Sequence, residues 1–237
     1  HQNDIDLGGC WPIQNRSKQF NIALNNPALF AKQLIAAQLK ANKITLKGSI
    51  TTGKTPRKLK IIAEHKSRSL KILLRVLLKN SNNIYAESLT KTLGYHYFHH
   101  GNFQSGSDAI ETILHKKADI NFRQSVIYDG AGGSRYNLIQ PVQIARLLYV
   151  INHSPKSSKI FISALPDSGM NGTLKRRMRS FDLKNAIQAK TGTMMGISTL
   201  SGYLKTKSNR KIAFSIMINH IVGSTTAARY LQTEICN

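Results

Sequence analysis

The sequence predicts an α+β fold in which helices come first and an antiparallel sheet comes last. Two observations indicate this order. Segments with apolar residues three and four positions apart occupy much of the stretch from residue 69 to residue 152. Alternating or continuous apolar segments, separated by short polar turns, occupy the stretch from residue 186 to residue 219.

The first 62 residues form a separate part in this prediction. Pro27 follows Asn26 at the first position of a predicted helix, in which apolar residues recur at helical spacing. Alternation of Ile44, Leu46 and Ile50 with polar residues then predicts a strand. A basic, exposed connection follows, and we place a domain boundary near residues 60 to 66.

The helical part begins at Ser69, with an apolar face opposite a basic one. Asn80 to Asn83 interrupts this helix, because asparagine and serine side chains compete for backbone hydrogen bonds. A second helix follows, and Gly94 to Gly101 is predicted as a loop. Further helices are expected over Ser105 to Lys117 and from Pro141.

The last third is predicted to form the sheet. Its expected strands are Ala186 to Thr193, Ser198 to Lys205 and Ile212 to Asn219, and the last two are joined by a polar turn. Ser224 to Ile235 closes the chain as a predicted helix.

The charge of the chain is strongly one-sided. Lys and Arg number 34 against 11 Asp and Glu, which gives a formal net charge of +23. Such a balance favours an anionic partner: nucleic acid, an anionic membrane surface or an acidic wall polymer. Zinc-finger spacing and aromatic-interleaved RNA-binding patterns are both missing from the sequence, so nucleic acid is not the expected partner. No apolar run is long enough for a membrane span.

Three further features leave questions open. The chain begins at His1 without a start methionine, which predicts processing, truncation or further residues upstream of His1. Cys10 and Cys236 stand at opposite ends, and the sequence does not decide whether they pair. A histidine cluster between residues 96 and 100 lacks the ligand spacing of a metal site, so we predict no metal.

Two short motifs indicate chemistry. Lys190-Thr191-Gly192 lies on a predicted strand, where an ammonium group and a hydroxyl could meet a carbonyl and a carboxylate while the glycine admits a peptide backbone. Ser81-Asn82-Asn83 lies about a hundred residues earlier on a loop between two helices. A plain helix cap is the alternative explanation for the serine and asparagines. The glycine-rich stretch Asp129 to Arg135 lacks the ending of a phosphate loop, and we predict a tight structural loop.

With their surrounding residues, these motifs resemble the low-molecular-mass penicillin-binding proteins that act as D-alanyl-D-alanine carboxypeptidases and endopeptidases. The segments that carry the resemblance are Asn80–Leu89, Asp129–Ile139, Leu165–Lys175, Ala189–Thr193 and Leu200–Tyr203. The resemblance is clear from about residue 66 to the end. It implies a penicillin-binding-protein/β-lactamase-like transpeptidase fold with its N-terminal part missing, residues 1–62 ending an inserted accessory domain and 63–237 belonging to the catalytic domain.

The resemblance also implies roles for individual residues. Ser81 would relay a proton to the leaving amine, and Asn83 would bind the substrate amide. Lys190 would place positive charge near the oxyanion and the substrate carboxylate. The remaining substrate-binding residues implied in this way are Thr191, Gly192, Thr193 and Arg135, of which Arg135 would meet a carboxylate of the peptide stem. No metal or organic cofactor is implied.

The sequence departs from this family at the nucleophile. The family's acylating serine belongs to an S-x-x-K motif far upstream of the position of Ser81. The two S-x-x-K matches here, Ser88 to Lys91 and Ser208 to Lys211, stand in the wrong order and context. We therefore expect the acylating serine to be absent from these 237 residues.

The predicted function is that of a periplasmic serine-type D-Ala-D-Ala carboxypeptidase/endopeptidase, a hydrolase that acts on peptidoglycan stem peptides and binds β-lactams. The chain would be its C-terminal portion. The alternative is a catalytically inactive wall-binding or regulatory remnant of the same family. Carboxypeptidase versus endopeptidase preference and the oligomeric state are not predicted.

Overall fold

The computed structural model describes residues 3–10, 20, 22–56, 58–180 and 182–237. The chain divides into two compact units, His1–His65 and Lys66–Asn237. The helices are α1 Pro27–Ala41, α2 Leu70–Asn80, α3 Asn83–Phe98, α4 Phe103–Ala118, α5 Pro141–Asn152, α6 Ser158–Ala164 and α7 Thr226–Ile235, with a 3-10 turn at Gly172–Leu174. The strands are β1 Ile187–Met194, β2 Ile197–Lys205 and β3 Lys211–Ile218.

In the first unit, α1 begins where Pro27 predicts it. The side chain of Asn26 caps the helix by accepting a hydrogen bond from the Leu29 amide. The predicted strand through Ile44 and Leu46 is wrong, because residues 44–50 form no strand. The Ile44 amide instead donates to the Leu39 carbonyl, and the described part of this unit offers no second strand with which to pair.

The second unit contains a three-stranded antiparallel sheet in the order β1-β2-β3. All three strands and α7 lie within two residues of their predicted bounds. The helix α3 is longer than predicted, since it continues through Gly94 to Phe98. Gly94 is buried where α4 crosses, and the absence of a side chain there permits the close helix contact.

The sheet has a core on each face. One core joins β1 and β2 to the segment before β1 and to α7, and its buried residues are Leu174, Met178, Leu183, Ile187, Ala189, Leu200 and Cys236. The other joins the sheet to α2, α5 and α6, and its buried residues are Leu78, Leu148, Ile162, Ala164, Leu165 and Tyr203. Because side chains alternate along a strand, Gln188 and Lys190 lie on the opposite face of β1 from Ile187 and Ala189.

Both cysteines are free, Cys10 exposed and Cys236 buried. Among the described residues, no helix has both the length and the apolar character of a membrane span. No group of three His, Cys, Asp or Glu side chains in that part of the chain could hold a metal ion.

Candidate active site

The turn between α2 and α3 presents the first motif. Ser81 ends α2 in the left-handed region, with φ of 52°. The side chain of Asn82 accepts a hydrogen bond from the Tyr85 amide at 3.0 Å and so caps α3. Asn83 is the exposed first residue of α3. The cap therefore explains Asn82, while Ser81 and Asn83 remain available for other contacts.

Lys190 joins this turn to the sheet. Its ammonium group donates hydrogen bonds to the Ser81 hydroxyl and, at 2.6 Å, to the carbonyl oxygen of Thr191. Burial lowers the pKa of Lys190, because removing an ammonium from water disfavours its charged form. Ser81 and Lys190 lie 109 positions apart in the sequence, and the fold brings them into direct contact.

The rest of the lysine motif follows along β1. Thr191 donates a hydrogen bond to the Thr173 hydroxyl at 2.8 Å, and Thr193 is exposed. Gly192 pairs with Thr199 of β2, and a Cβ atom on Gly192 would lie only 2.4 Å from the Thr199 hydroxyl oxygen. A side chain at this position would therefore crowd the Thr199 hydroxyl of the neighbouring strand.

The outer edge of β1 is half occupied. The Ala189 amide donates to the Pro166 carbonyl at 3.0 Å, and the Ser168 amide donates to the Ile187 carbonyl at 2.9 Å. Since backbone groups point alternately to the two sides of a strand, Thr191 and Thr193 direct theirs to the same outer side as Ala189. The edge beyond Ala189 can thus accept an added strand.

Arg135 reaches the end of the same strand from a tight loop. Its guanidinium donates to the Met195 carbonyl at 2.8 Å, next to the turn that joins β1 to β2. The Asp129 carboxylate accepts the amides of Gly132, Gly133 and Ser134, so these amides are not free to bind a phosphate. The prediction of a structural loop agrees with these contacts.

Glu87 fixes that loop to α3. Its carboxylate accepts the amides of Gly130 at 3.2 Å and of Ala131 at 3.1 Å. Sequence reasoning did not identify Glu87, although it lies on the same face of α3 as Asn83, one helical turn later. Of the predicted site residues, Ser81, Lys190, Thr191 and Arg135 make the hydrogen bonds given above, and Gly192 and Thr193 lie on β1. No contact is described for Asn83.

The two S-x-x-K tetrads lie away from this arrangement. Lys91 lies on α3, and its ammonium group is 4.0 Å from the centroid of the Phe103 ring. Ser208 lies in the turn between β2 and β3, where its hydroxyl pairs with that of Thr206 at 3.0 Å. The hydrogen bonds described for Lys190 go to Ser81 and Thr191 and to neither of these two serines.

Comparison with known proteins gives the relatives of the chain. A D-alanyl-D-alanine carboxypeptidase DacB of Haemophilus influenzae is 30% identical over 221 residues, covering 92% of this chain and 46% of that protein. A D-alanyl-D-alanine carboxypeptidase of an Actinomadura species is 32% identical over 233 residues, covering 95% of this chain and 43% of the relative. The chain spans about half the length of the curated relatives it matches.

Solved structures share the fold. Penicillin-binding protein 4 from Haemophilus influenzae matches with a TM-score of 0.79 and 30% identity, over 90% of this chain and 48% of that one. A reconstructed ancestral class A β-lactamase, 19% identical, matches with a TM-score of 0.52 over 70% of this chain and 61% of that one. The predicted α+β fold of the penicillin-binding-protein/β-lactamase type is confirmed. Since the model of the D-Ala-D-Ala carboxypeptidase 3 (S13) family matches residues 1–235, the chain belongs to that family.

Proposed function

We propose that this chain supplies the substrate-recognition and proton-relay part of a serine-type D-Ala-D-Ala carboxypeptidase/endopeptidase that acts on peptidoglycan stem peptides. The observation that carries the proposal is the contact between the Lys190 ammonium and the Ser81 hydroxyl, beside the half-occupied edge of β1. The contact gives the hydroxyl a cationic neighbour, as a group that passes a proton to a leaving amine requires.

Each motif residue has a role in this reaction. The peptide would pair with β1 beyond Ala189, and the Thr191 and Thr193 hydroxyls would bind its terminal carboxylate. A serine would attack the penultimate D-Ala carbonyl while the lysine of its S-x-x-K motif takes the hydroxyl proton, and Lys190 and the Thr193 amide would stabilise the negative charge that forms on the carbonyl oxygen. Ser81 would pass a proton to the departing D-Ala amine, and Asn83 would hold the substrate amide. Water would then hydrolyse the acyl-enzyme.

Arg135 would bind a carboxylate of the peptide stem. At present it donates to the Met195 carbonyl, which lies at the end of the proposed peptide-binding strand. A guanidinium in this place could exchange that neutral acceptor for a carboxylate, a stronger charge-assisted partner.

We propose that the acylating serine lies outside these 237 residues. Two observations support this: the tetrads Ser88 to Lys91 and Ser208 to Lys211 lie away from the contact between Ser81 and Lys190, and the chain spans about half of its relatives. The enzyme would act in the periplasm, where its polymeric substrate lies, and the net charge of +23 suits an anionic wall. β-Lactams would acylate the complete enzyme, as in the related penicillin-binding protein 4 that was solved in complex with a β-lactam.

A catalytically inactive wall-binding or regulatory remnant is the second candidate. It rests on the sequence, in which neither S-x-x-K match stands where the family has its acylating serine. The chain would bind stem peptides at β1 without cleaving them.

Labelling with a fluorescent penicillin separates these candidates. We expect the product of the complete reading frame to be labelled covalently and the 237-residue chain alone to remain unlabelled. Lys190→Ala in the complete protein should slow labelling by about a hundredfold or more, since it removes charge stabilisation of the transition state. Labelling of the 237-residue chain would refute the proposal that its nucleophile is absent. If the complete protein is not labelled, the result would favour the inactive remnant.

A further inference from the structure

Four polar side chains form a closed cluster beside the candidate site. Lys79 donates to the Asp167 carboxylate at 3.2 Å and to the Asn171 side-chain oxygen at 3.0 Å. Gln188 donates to the other carboxylate oxygen of Asp167 at 3.0 Å, and the Asn171 amide group donates to Asp167 at 2.6 Å. Asp167 therefore contacts all three of the other members.

The cluster has a fixed relation to the two reacting groups. Lys79 lies in the last turn of α2, two residues before Ser81. Gln188 lies on β1, two residues before Lys190 and on the same face of the strand. Asp167 thus binds the residue two positions before each partner of the contact between Ser81 and Lys190.

The backbone around Asp167 is attached to β1 but reaches α2 mainly through side chains. On β1, main-chain bonds from Pro166 and Ser168 hold the loop on both sides of Asp167. Toward α2, the loop has the contacts of Lys79 and the close packing of Gly172, whose Cβ would lie 2.8 Å from the Lys79 carbonyl oxygen. Beside the apolar core that contains Leu78 and Leu165, the Asp167–Lys79 pair is therefore a charged link between the loop on the sheet and the end of α2.

Burial gives this link its strength. The side chains of Lys79 and Asp167 are only 16% and 18% exposed, whereas the pair Lys207–Asp182 is 83% and 53% exposed at 3.7 Å. A pair shielded from water is weakened less by solvent and salt than an exposed one, and removing one member leaves the other poorly solvated. The exposed pair provides a control with the same chemistry and little expected effect.

We propose that Asp167 is a positioning residue, which sets the contact between Ser81 and Lys190 by holding Lys79 and Gln188 at once. Its catalytic consequence depends on the function proposed above, but the geometric claim does not. Without the Asp167 carboxylate, the apolar core would still join α2 to the sheet, but the end of α2 would lose its charged attachment, and Lys190 would gain water as its contact with Ser81 loosens.

The chain offers a charge-swapped variant as a rescue. Asp167→Asn alone removes the negative charge and leaves one acceptor oxygen for two sides, so an NH2 group must face either Gln188 or the donors of Lys79 and Asn171. Adding Asn171→Asp moves the carboxylate to a residue that already contacts Lys79 and Asp167. The swapped pair can satisfy Lys79, Gln188 and the amide of residue 167 with the charge unchanged.

The test is an NMR titration of the Lys190 side chain in the 237-residue chain, with thermal unfolding as the fold control. Asp167→Asn should move the Lys190 titration up toward that of exposed lysines. The double variant Asp167→Asn/Asn171→Asp should restore it, and Asp182→Asn should leave it unchanged. If Asp167→Asn lowers the unfolding temperature without moving the Lys190 titration, or if Asp182→Asn moves it equally, the proposal is wrong.

A second measurement tests the catalytic consequence in the complete protein. Asp167→Asn should reduce the penicillin acylation rate about tenfold or more, since misplacing catalytic groups by about 1 Å can cost up to a hundredfold, and the double variant should recover most of it. If no variant is acylated, the proposed function fails while the Lys190 titration still decides the positioning role. Normal acylation by Asp167→Asn would overturn that role in catalysis.

Discussion

At Gly192, the sequence motif of the candidate site and the packing of the sheet both favour a residue without a side chain. A Cβ atom there would meet the Thr199 hydroxyl at 2.4 Å, and the next atom of Thr199, its Cβ, would be 3.7 Å away. The conflict thus comes from one hydroxyl oxygen on the paired strand.

We predict that Gly192→Ala lowers the free energy of unfolding by about 1–3 kcal/mol, the usual cost of overpacking. Adding Thr199→Ala, which removes the conflicting oxygen, should recover most of that loss. Urea unfolding of the two variants measures this. An equal loss in both would show that Thr199 is not the cause.

Lys190 should make stability depend on pH in a defined direction. Its folded-state pKa is lowered by burial, so the unfolded chain binds more protons between the folded and unfolded pKa values. The free energy of unfolding contributed by Lys190 therefore rises as the pH increases through that interval.

Lys190→Met should lack this rise, because methionine does not titrate. The difference in unfolding midpoint between the parent chain and Lys190→Met, followed from neutral to alkaline pH, measures it. A constant difference over the whole interval would contradict the lowered pKa.

Sequence reasoning identified the residues of the candidate site better than the residues that hold them. Ser81 and Lys190 belong to motifs whose order is informative on its own. Asp167 and Thr173 lie in the segment Leu165–Lys175, but the sequence predicts no role for them: their partners Lys79 and Thr191 lie 88 and 18 positions away, and such contacts exist only after the chain has folded. Glu87 has the same limitation, since its partners lie 43 and 44 positions along the chain.

At the scale of elements, the crossing of α3 and α4 positions the helix that begins with Asn83. A Cβ atom on Gly106 would lie 2.6 Å from the Thr90 side chain and 2.7 Å from its carbonyl oxygen. The backbones of the two helices therefore approach closely, and a backbone atom cannot move aside as a side chain can.

We predict that Gly106→Ala lowers the free energy of unfolding by about 1–3 kcal/mol or more, as overpacking against backbone forces the helices apart. Gly101→Ala is the matched control, because its nearest atom, the Lys91 carbonyl oxygen, would be 3.5 Å away. Thermal unfolding of both variants tests the crossing. Equal stability of the two variants would contradict the close approach.

The same crossing explains an error of sequence reasoning. The sequence predicts a loop from Gly94, and glycine does weaken an isolated helix. In the structure, tertiary packing against Ser105 and Gly106 keeps Gly94 helical. The strand predicted through Ile44 failed for the opposite reason, since an alternating pattern cannot form a strand without a neighbour. Local pattern was sufficient for α2 and β1 to β3, where the apolar faces found a core.

At the scale of the whole second unit, Tyr203 connects the sheet to the helical layer. It is 2% exposed, and its hydroxyl donates to the Leu148 carbonyl of α5 at 2.7 Å. Burial raises the pKa of Tyr203 to about 12. The unfolded chain therefore loses this proton near pH 10, earlier than the folded chain does.

We predict that the free energy of unfolding falls by about 2–3 kcal/mol as the pH rises from the unfolded-state pKa of Tyr203 to its folded-state pKa. This figure follows from about 1.4 kcal/mol for each unit of pKa difference. Tyr203→Phe should be less stable at neutral pH by about 1 kcal/mol for the lost hydrogen bond, yet it should lack this alkaline loss. Urea unfolding at neutral pH and near pH 11 compares the two chains. If the difference in free energy of unfolding between the parent chain and Tyr203→Phe is no smaller near pH 11 than at neutral pH, the raised pKa is contradicted.

The half-occupied edge of β1 also limits how far a peptide strand could extend along it. An added strand that runs antiparallel to β1 has its carboxyl end toward Ile187, where Pro166 and Ser168 already occupy the edge. Such a peptide must stop or turn away soon after it passes Thr191. In the proposed mode of peptide binding, the occupied end of the edge would align a peptide by its carboxyl end and would leave no room for one that continues straight past Ala189.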